Sequence, residues 1–176
     1  MFEIRHRATG HILATICGDG VERVILNDAD LGEAALAGAC LRAADLLGTD
    51  LHGADLQQTD LRGARMVAAD LTGARLSGAR LCRADLTTAD LQVADLAGAH
   101  MEGTVLYGAN LVGAILTNAD LQDAWLCEAD LDEADLEGAH LAHACYDRWT
   151  RWPEGFDPAA HGAALVNTVN VAKAVC

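Results

Sequence analysis

The residues of this chain best equipped for chemistry are His100, Asp120, His140, His143 and Cys145. His100, Asp120 and His140 follow one another at intervals of 20 residues, and two imidazoles with a carboxylate are donors that suit zinc. Cys145 lies two residues beyond His143, the residue types a thiol nucleophile and its base require. Neither set carries a supporting motif. The chain has no HExxH, GxSxG or CxxC, and its glycines recur singly rather than as a phosphate-binding loop. The expectation is no catalytic site, no metal and no cofactor.

Carboxylates are the other concentrated chemistry. Of 26 acids, eight fall between Asp120 and Glu137 with no base among them: Asp120, Asp123, Glu128, Asp130, Asp132, Glu133, Asp135 and Glu137. Residues 22–83 hold nine acids and seven bases, whereas residues 84–148 hold thirteen acids and one base. The C-terminal half is a negative pole, suited to a basic surface. With a net charge of −14, direct nucleic-acid binding is excluded for want of clustered Lys and Arg.

A repeat positions these groups. From Leu26, stepping by five, every position to Leu141 is Leu except Met66 and Met101. Two residues before each stands a small residue, almost always Ala. Asp recurs just before the Leu, and Gly two residues after it, as at Gly48, Gly53 and Gly63. A period of five matches neither a helix nor a strand. The chain must turn a corner every five residues, with Leu and Ala pointing inward and Gly supplying a positive φ. Hydrophobic residues reach 52% with only 4% aromatic, as aliphatic layering around a narrow axis demands.

Runs such as Ala54-Asp55-Leu56-Gln57-Gln58 and Ala89-Asp90-Leu91-Gln92-Val93 resemble the A(D/N)LXX motif of the pentapeptide-repeat family, over roughly residues 22–148. The resemblance implies an all-β fold, a right-handed quadrilateral parallel β-helix with four pentads per coil. About six coils at ~4.8 Å give a rod roughly 30 Å long. Residues 1–21 then form an N-terminal β-hairpin cap, 22–148 the repeat, and 149–176 a C-terminal cap and tail. In the cap, Trp149, Trp152 and Phe156 cover the last coil, and a short helix opens at Asp157-Pro158 and runs to about Leu165. The apolar tail 166–176 either seals the end or pairs with the tail of a second subunit.

Folding at 20 residues per coil stacks residue i on i+20. Asp30, Asp50, Asp70, Asp90 and Asp130 then share a column with Asn110, a candidate acidic ridge. Asp at this motif position also bonds local backbone, so the column has a structural explanation as well. Arg65 and Arg75 stack between aspartates. Leu47, Val67, Val105, Tyr107 and Trp125 form a candidate apolar contact patch. His100 and His140 sit two coils apart, ~9.6 Å between backbones, too far for a fixed metal site.

The chain is expected to be a non-catalytic scaffold presenting an acidic rod to a protein partner, as a monomer or as a homodimer through the tail. The repeat and charge also resemble quinolone-resistance pentapeptide proteins. That resemblance implies a DNA mimic that occupies DNA gyrase or topoisomerase and protects it from inhibitors. The uniform repeat, with no Phe and no loop, departs from theirs. No apolar run is long enough to span a membrane, no signal peptide opens the chain, and six scattered Cys suit a reducing cytoplasm.

Overall fold

The computed structural model describes residues 2–16 and 24–166. Each pentad builds the same turn. The Thr49 N–H donates to the Leu46 carbonyl (3.2 Å), and Gly48 between them has φ 61°, where type II turns need a positive φ. The slot stays left-handed when it holds Ala43 (φ 52°), Gln58 (58°) or Val93 (50°). Stacking of the coils, not glycine itself, therefore dictates the corner. For a residue with a Cβ the conformation costs roughly 1–2 kcal/mol.

Successive coils hydrogen-bond as parallel layers. Leu46 N–H donates to the Arg65 carbonyl (2.7 Å), Asp45 N–H to Val24 (2.8 Å) and Gly48 N–H to Val67 (2.9 Å). Parallel bridges link each residue before a Leu to the one 20 positions on, giving four columns. In chain order these are face 1 (Ile25 to Cys145), face 2 (Asp30 onward), face 3 (Ala35 to Asp135) and face 4 (Cys40 to His140).

The core is a stack of buried Leu and Ala from Leu31 to Ala144, with Met66 and Met101 equally buried. Each buried Leu contributes about 1.5–3 kcal/mol before entropy. Thr49, Thr59 and Thr104 occupy the Ala slot and are fully buried. Each hydroxyl donates to a Leu carbonyl one coil back (Leu26, Leu36 and Leu81), at 2.8 Å. The polar group is thereby satisfied inside the wall.

At the N-terminal end β1 (Phe2–His6) pairs antiparallel with β2 (Ile12–Ile16), and Gly10 (φ 71°) closes the turn. β1 also pairs with β3 (Ala34–Ala35) through Arg5↔Ala35 and His6↔Ala34. That pairing docks the hairpin on the first coil and drives Ile4 into the core. The junction expected near residue 21 lies outside the described residues.

At the other end the coil continues past residue 148. Asp130 bridges Arg151. β4 (Cys145–Tyr146) pairs in parallel with β5 (Ala164–Leu165). Trp152 follows Arg151 in the Leu slot, its ring edge-on to Tyr146 at 5.6 Å and stacked on Phe156 at 5.3 Å. Phe156 stacks on His161 at 4.5 Å. Trp149 departs from expectation: it is 58% exposed, under the Arg148 guanidinium (4.6 Å), because the residue inserted here turns it outward.

The expected helix shrinks to a 3-10 turn, Ala159–His161. Asp157 accepts from the Ala159 and Ala160 N–H groups (3.0 and 3.3 Å), but Gly162 (φ 86°) ends the turn and Ala164 enters a strand. Val166 N–H still donates to Tyr146 (2.8 Å). Of the tail 166–176 on which both expectations rest, all beyond Val166 lies outside the described residues.

Candidate interaction surface

The aspartate column is first a structural device. The Oδ1 atoms of Asp30, Asp50, Asp70, Asp90 and Asp130 each accept the N–H two residues on, at 2.9 to 3.3 Å. Asn110 does the same for Val112 (3.2 Å). This Asx bond holds each corner and explains why Asp recurs before the Leu. Two of the second oxygens are also engaged: Asp90 takes Gln92 Nε2 (3.1 Å) and Asp130 takes Arg151 Nη1 (2.6 Å). The ridge is therefore a row of locally satisfied carboxylates.

The eight acids of residues 120–137 have a different arrangement. They occupy nearly one full coil, so they encircle the rod. Asp120 stands on face 4, Asp130 on face 2 and Asp135 on face 3. Asp123, Glu128, Asp132, Glu133 and Glu137 lie at the turns between faces. Face 1 alone breaks the girdle, with Trp125 between Val105 and Cys145. Arg151 closes it from above, bonding Asp130 and Asp132 (2.6 and 2.7 Å).

The apolar patch divides into two groups. Val105, Tyr107 and Trp125 adjoin one another on face 1 and its following corner, all half-buried. Leu47 and Val67 lie on the same corner nearer the N-terminus, with Thr87 between them and Tyr107. The Glu128 carboxylate beside Tyr107 pushes its phenol up, so patch and girdle adjoin there. Val93, 62% exposed at a turn on another side of the rod, is an apolar group outside the patch expected from the sequence.

Arginines concentrate on the other half. Arg65 bonds Asp45 (3.0 Å), Arg75 bonds Asp55 (3.2 Å) and Arg62 bonds Asp60 (2.6 Å). The last pair holds the Asp60 carboxyl below its usual range. On face 2, burial tends to raise Asp50, but the His52 backbone N–H (3.0 Å), the bond to His52 Nδ1 (2.7 Å) and the ring's charge together outweigh this and lower it; the Nδ1 bond raises His52.

His100, Asp120 and His140 do succeed one another on face 4. Asp120 Oδ1 is engaged by the Gln122 N–H (3.1 Å), and among the described residues no His, Cys, Asp and Glu group could hold a metal ion. Cys145 directs its thiol at the His143 carbonyl (3.8 Å), and burial raises its pKa. Cys127 is fully buried, its thiol pushed up to about 11 by desolvation. Among the described residues no helix is long and apolar enough to cross a membrane.

The family profile for pentapeptide repeats matches residues 29–66, 49–87, 64–103, 84–123 and 114–145. The chain belongs to the pentapeptide-repeat family. Proteins of this family form right-handed β-helices, and in this chain parallel bridges stack each residue before a Leu on the one 20 positions on, in four columns. Solved structures that resemble this one include a pentapeptide-repeat protein and a fluoroquinolone resistance protein. The protein alr5209 from Nostoc Pcc 7120 is 41% identical, with 58% of this chain and 84% of that chain covered and a TM-score of 0.57. A trypsin-treated variant of QnrB1, a plasmid-mediated fluoroquinolone resistance protein, is 25% identical, with 83% of this chain and 64% of that chain covered and a TM-score of 0.63. Comparison with curated protein sequences returns no significant match.

Proposed function

We propose that this pentapeptide-repeat protein is a non-catalytic, cytoplasmic interaction scaffold, a quadrilateral rod that presents its acidic girdle to a basic surface on another macromolecule. One observation carries the reading: eight carboxylates surround a single coil and only Arg151 approaches them as an ion-pair partner among the described residues. The repeat accounts for Asp120, Asp130 and Asp135, whose Oδ1 atoms hold their corners, but not for the five acids at the turns. Glu133 and Glu137 are exposed and make no side-chain hydrogen bond or ion pair among the described residues, and Glu128, also exposed, meets only the Tyr107 phenol. Trp125 and Tyr107 supply an apolar flank at the break in the girdle. Binding through such a surface weakens with added salt, since the attraction is between exposed charges.

A second reading is supported by the likeness to QnrB1. In it the girdle mimics the phosphates of duplex DNA and the partner is DNA gyrase or topoisomerase. A supercoiling assay with and without a fluoroquinolone tests it. Inhibition or drug protection that disappears in Asp120→Asn/Asp130→Asn/Asp132→Asn/Asp135→Asn supports mimicry; no effect at micromolar protein removes gyrase as the partner and leaves the scaffold reading standing.

A further inference from the structure

The side of the rod spanning face 4, the corner after it and face 1 changes sign along its length. In its N-terminal coils it carries Arg42, Arg62, Arg65, Arg80 and Arg83 against Asp45, Asp60 and Asp85. Arg62 and Arg65 are paired to Asp60 and Asp45. Arg80 and Arg83 are exposed and form no ion pair among the described residues. One and two coils further on, the same side carries Glu102, Asp120 and Asp123 and no Lys or Arg. The side made by faces 2 and 3 shows no such reversal: Asp50, Asp55, Asp70, Asp90 and Asp95 line it, with Arg75 as its one arginine over that length.

We propose that this side is a self-association surface, on which a second copy of the chain lies antiparallel. A two-fold axis through the layer of His100 and Glu102 sets Arg80 and Arg83 of each copy against Asp120 and Asp123 of the other. Arg80 and Asp120 are equidistant from that layer, one coil (about 4.8 Å) on either side, as an isologous contact requires. A parallel arrangement would set like charges together. The net charge of −14 opposes association, but charges farther off than the Debye length of about 8 Å at physiological salt are screened, while apposed pairs are not. The apposed groups are exposed ion pairs, each contributing little in water. The dimer is accordingly weak and salt-sensitive. This inference stands apart from the heterologous partner, and its readout needs none.

Sedimentation velocity on the full chain tests it, over a concentration series at about 0.05 M and about 0.5 M salt. The expected result is a dimer at low salt that dissociates at high salt. Arg80→Glu/Arg83→Glu and Asp120→Arg/Asp123→Arg should each be monomeric alone, because like charges then oppose. Mixed in equal amounts they should form a heterodimer about as tight as the wild-type dimer, because the mixed pair restores each opposite-charge contact. Rescue in the mixture also shows that both variants fold. A wild-type chain monomeric at low salt, a dimer indifferent to both reversals, or a mixture that stays monomeric overturns the proposal.

Discussion

Arg151 sets its Nη1 2.6 Å from Asp130 Oδ2 and its Nη2 2.7 Å from Asp132 Oδ2, tying a cation to two carboxylates of the acidic coil. Arg151 occupies the position that Asp holds lower in the same column. The ion pair is well exposed, with the Arg151 side chain 61% accessible, so Arg151→Ala should change stability by less than about 1 kcal/mol in thermal unfolding. The same variant frees two carboxylates and should bind a basic partner more tightly at low salt.

Val93 is a β-branched residue at φ 50° and 62% exposed. Val93→Gly removes a Cβ from the left-handed region, a gain of about 1–2 kcal/mol, partly offset by a more flexible unfolded chain at about 0.5–1 kcal/mol. Net stabilisation near 1 kcal/mol is expected by urea or thermal unfolding. Destabilisation would show that the Val93 side chain packs more than its exposure suggests.

The interior was legible because its chemistry is periodic. Leu, Ala and Asp each hold one geometric role, and Leu56, Ala54 and Asp55 follow the rule their neighbours follow. The end of the rod was not legible. One inserted residue separates Asp130 from Arg151 by 21 positions, so counting by 20 lands on Thr150 and hides the pair. The same insertion turns Trp149 outward and leaves Trp152 to cover the core. Charge content along the chain was plain, but a linear run from Asp120 to Glu137 reads as a pole. Only the coil wraps it into a girdle.

Thiol reactivity follows from burial. With its pKa pushed up to about 11, Cys127 at pH 8 holds about a thousandth of its population as thiolate, the reactive form. Iodoacetamide should modify exposed Cys40 readily and leave Cys127 intact until the chain unfolds, as mass spectrometry of the peptides will show.

His52 is raised by its hydrogen bond to Asp50. A folded pKa above the unfolded value means this contribution is fully present below about 6.5 and is lost as pH rises through the folded value. The ring is 52% exposed, so solvent screens the effect and the stability change is small. Asp50→Asn should move the His52 titration downward in NMR; an unmoved titration would show that the pair does not persist in solution.

The central claim, that the girdle is the contact surface, is tested most directly by cross-linking Asp and Glu to Lys with a carboxyl-activating reagent in cells, followed by mass spectrometry. The account predicts that cross-links to the partner concentrate on Glu128, Glu133 and Glu137, and that co-purification of the partner without cross-linker falls at least ~10-fold when these three are changed to Gln, with the unfolding temperature unchanged. Partner cross-links that map to Asp50, Asp55 and Asp70 instead, or a partner captured equally well by the neutralised variant, would contradict it.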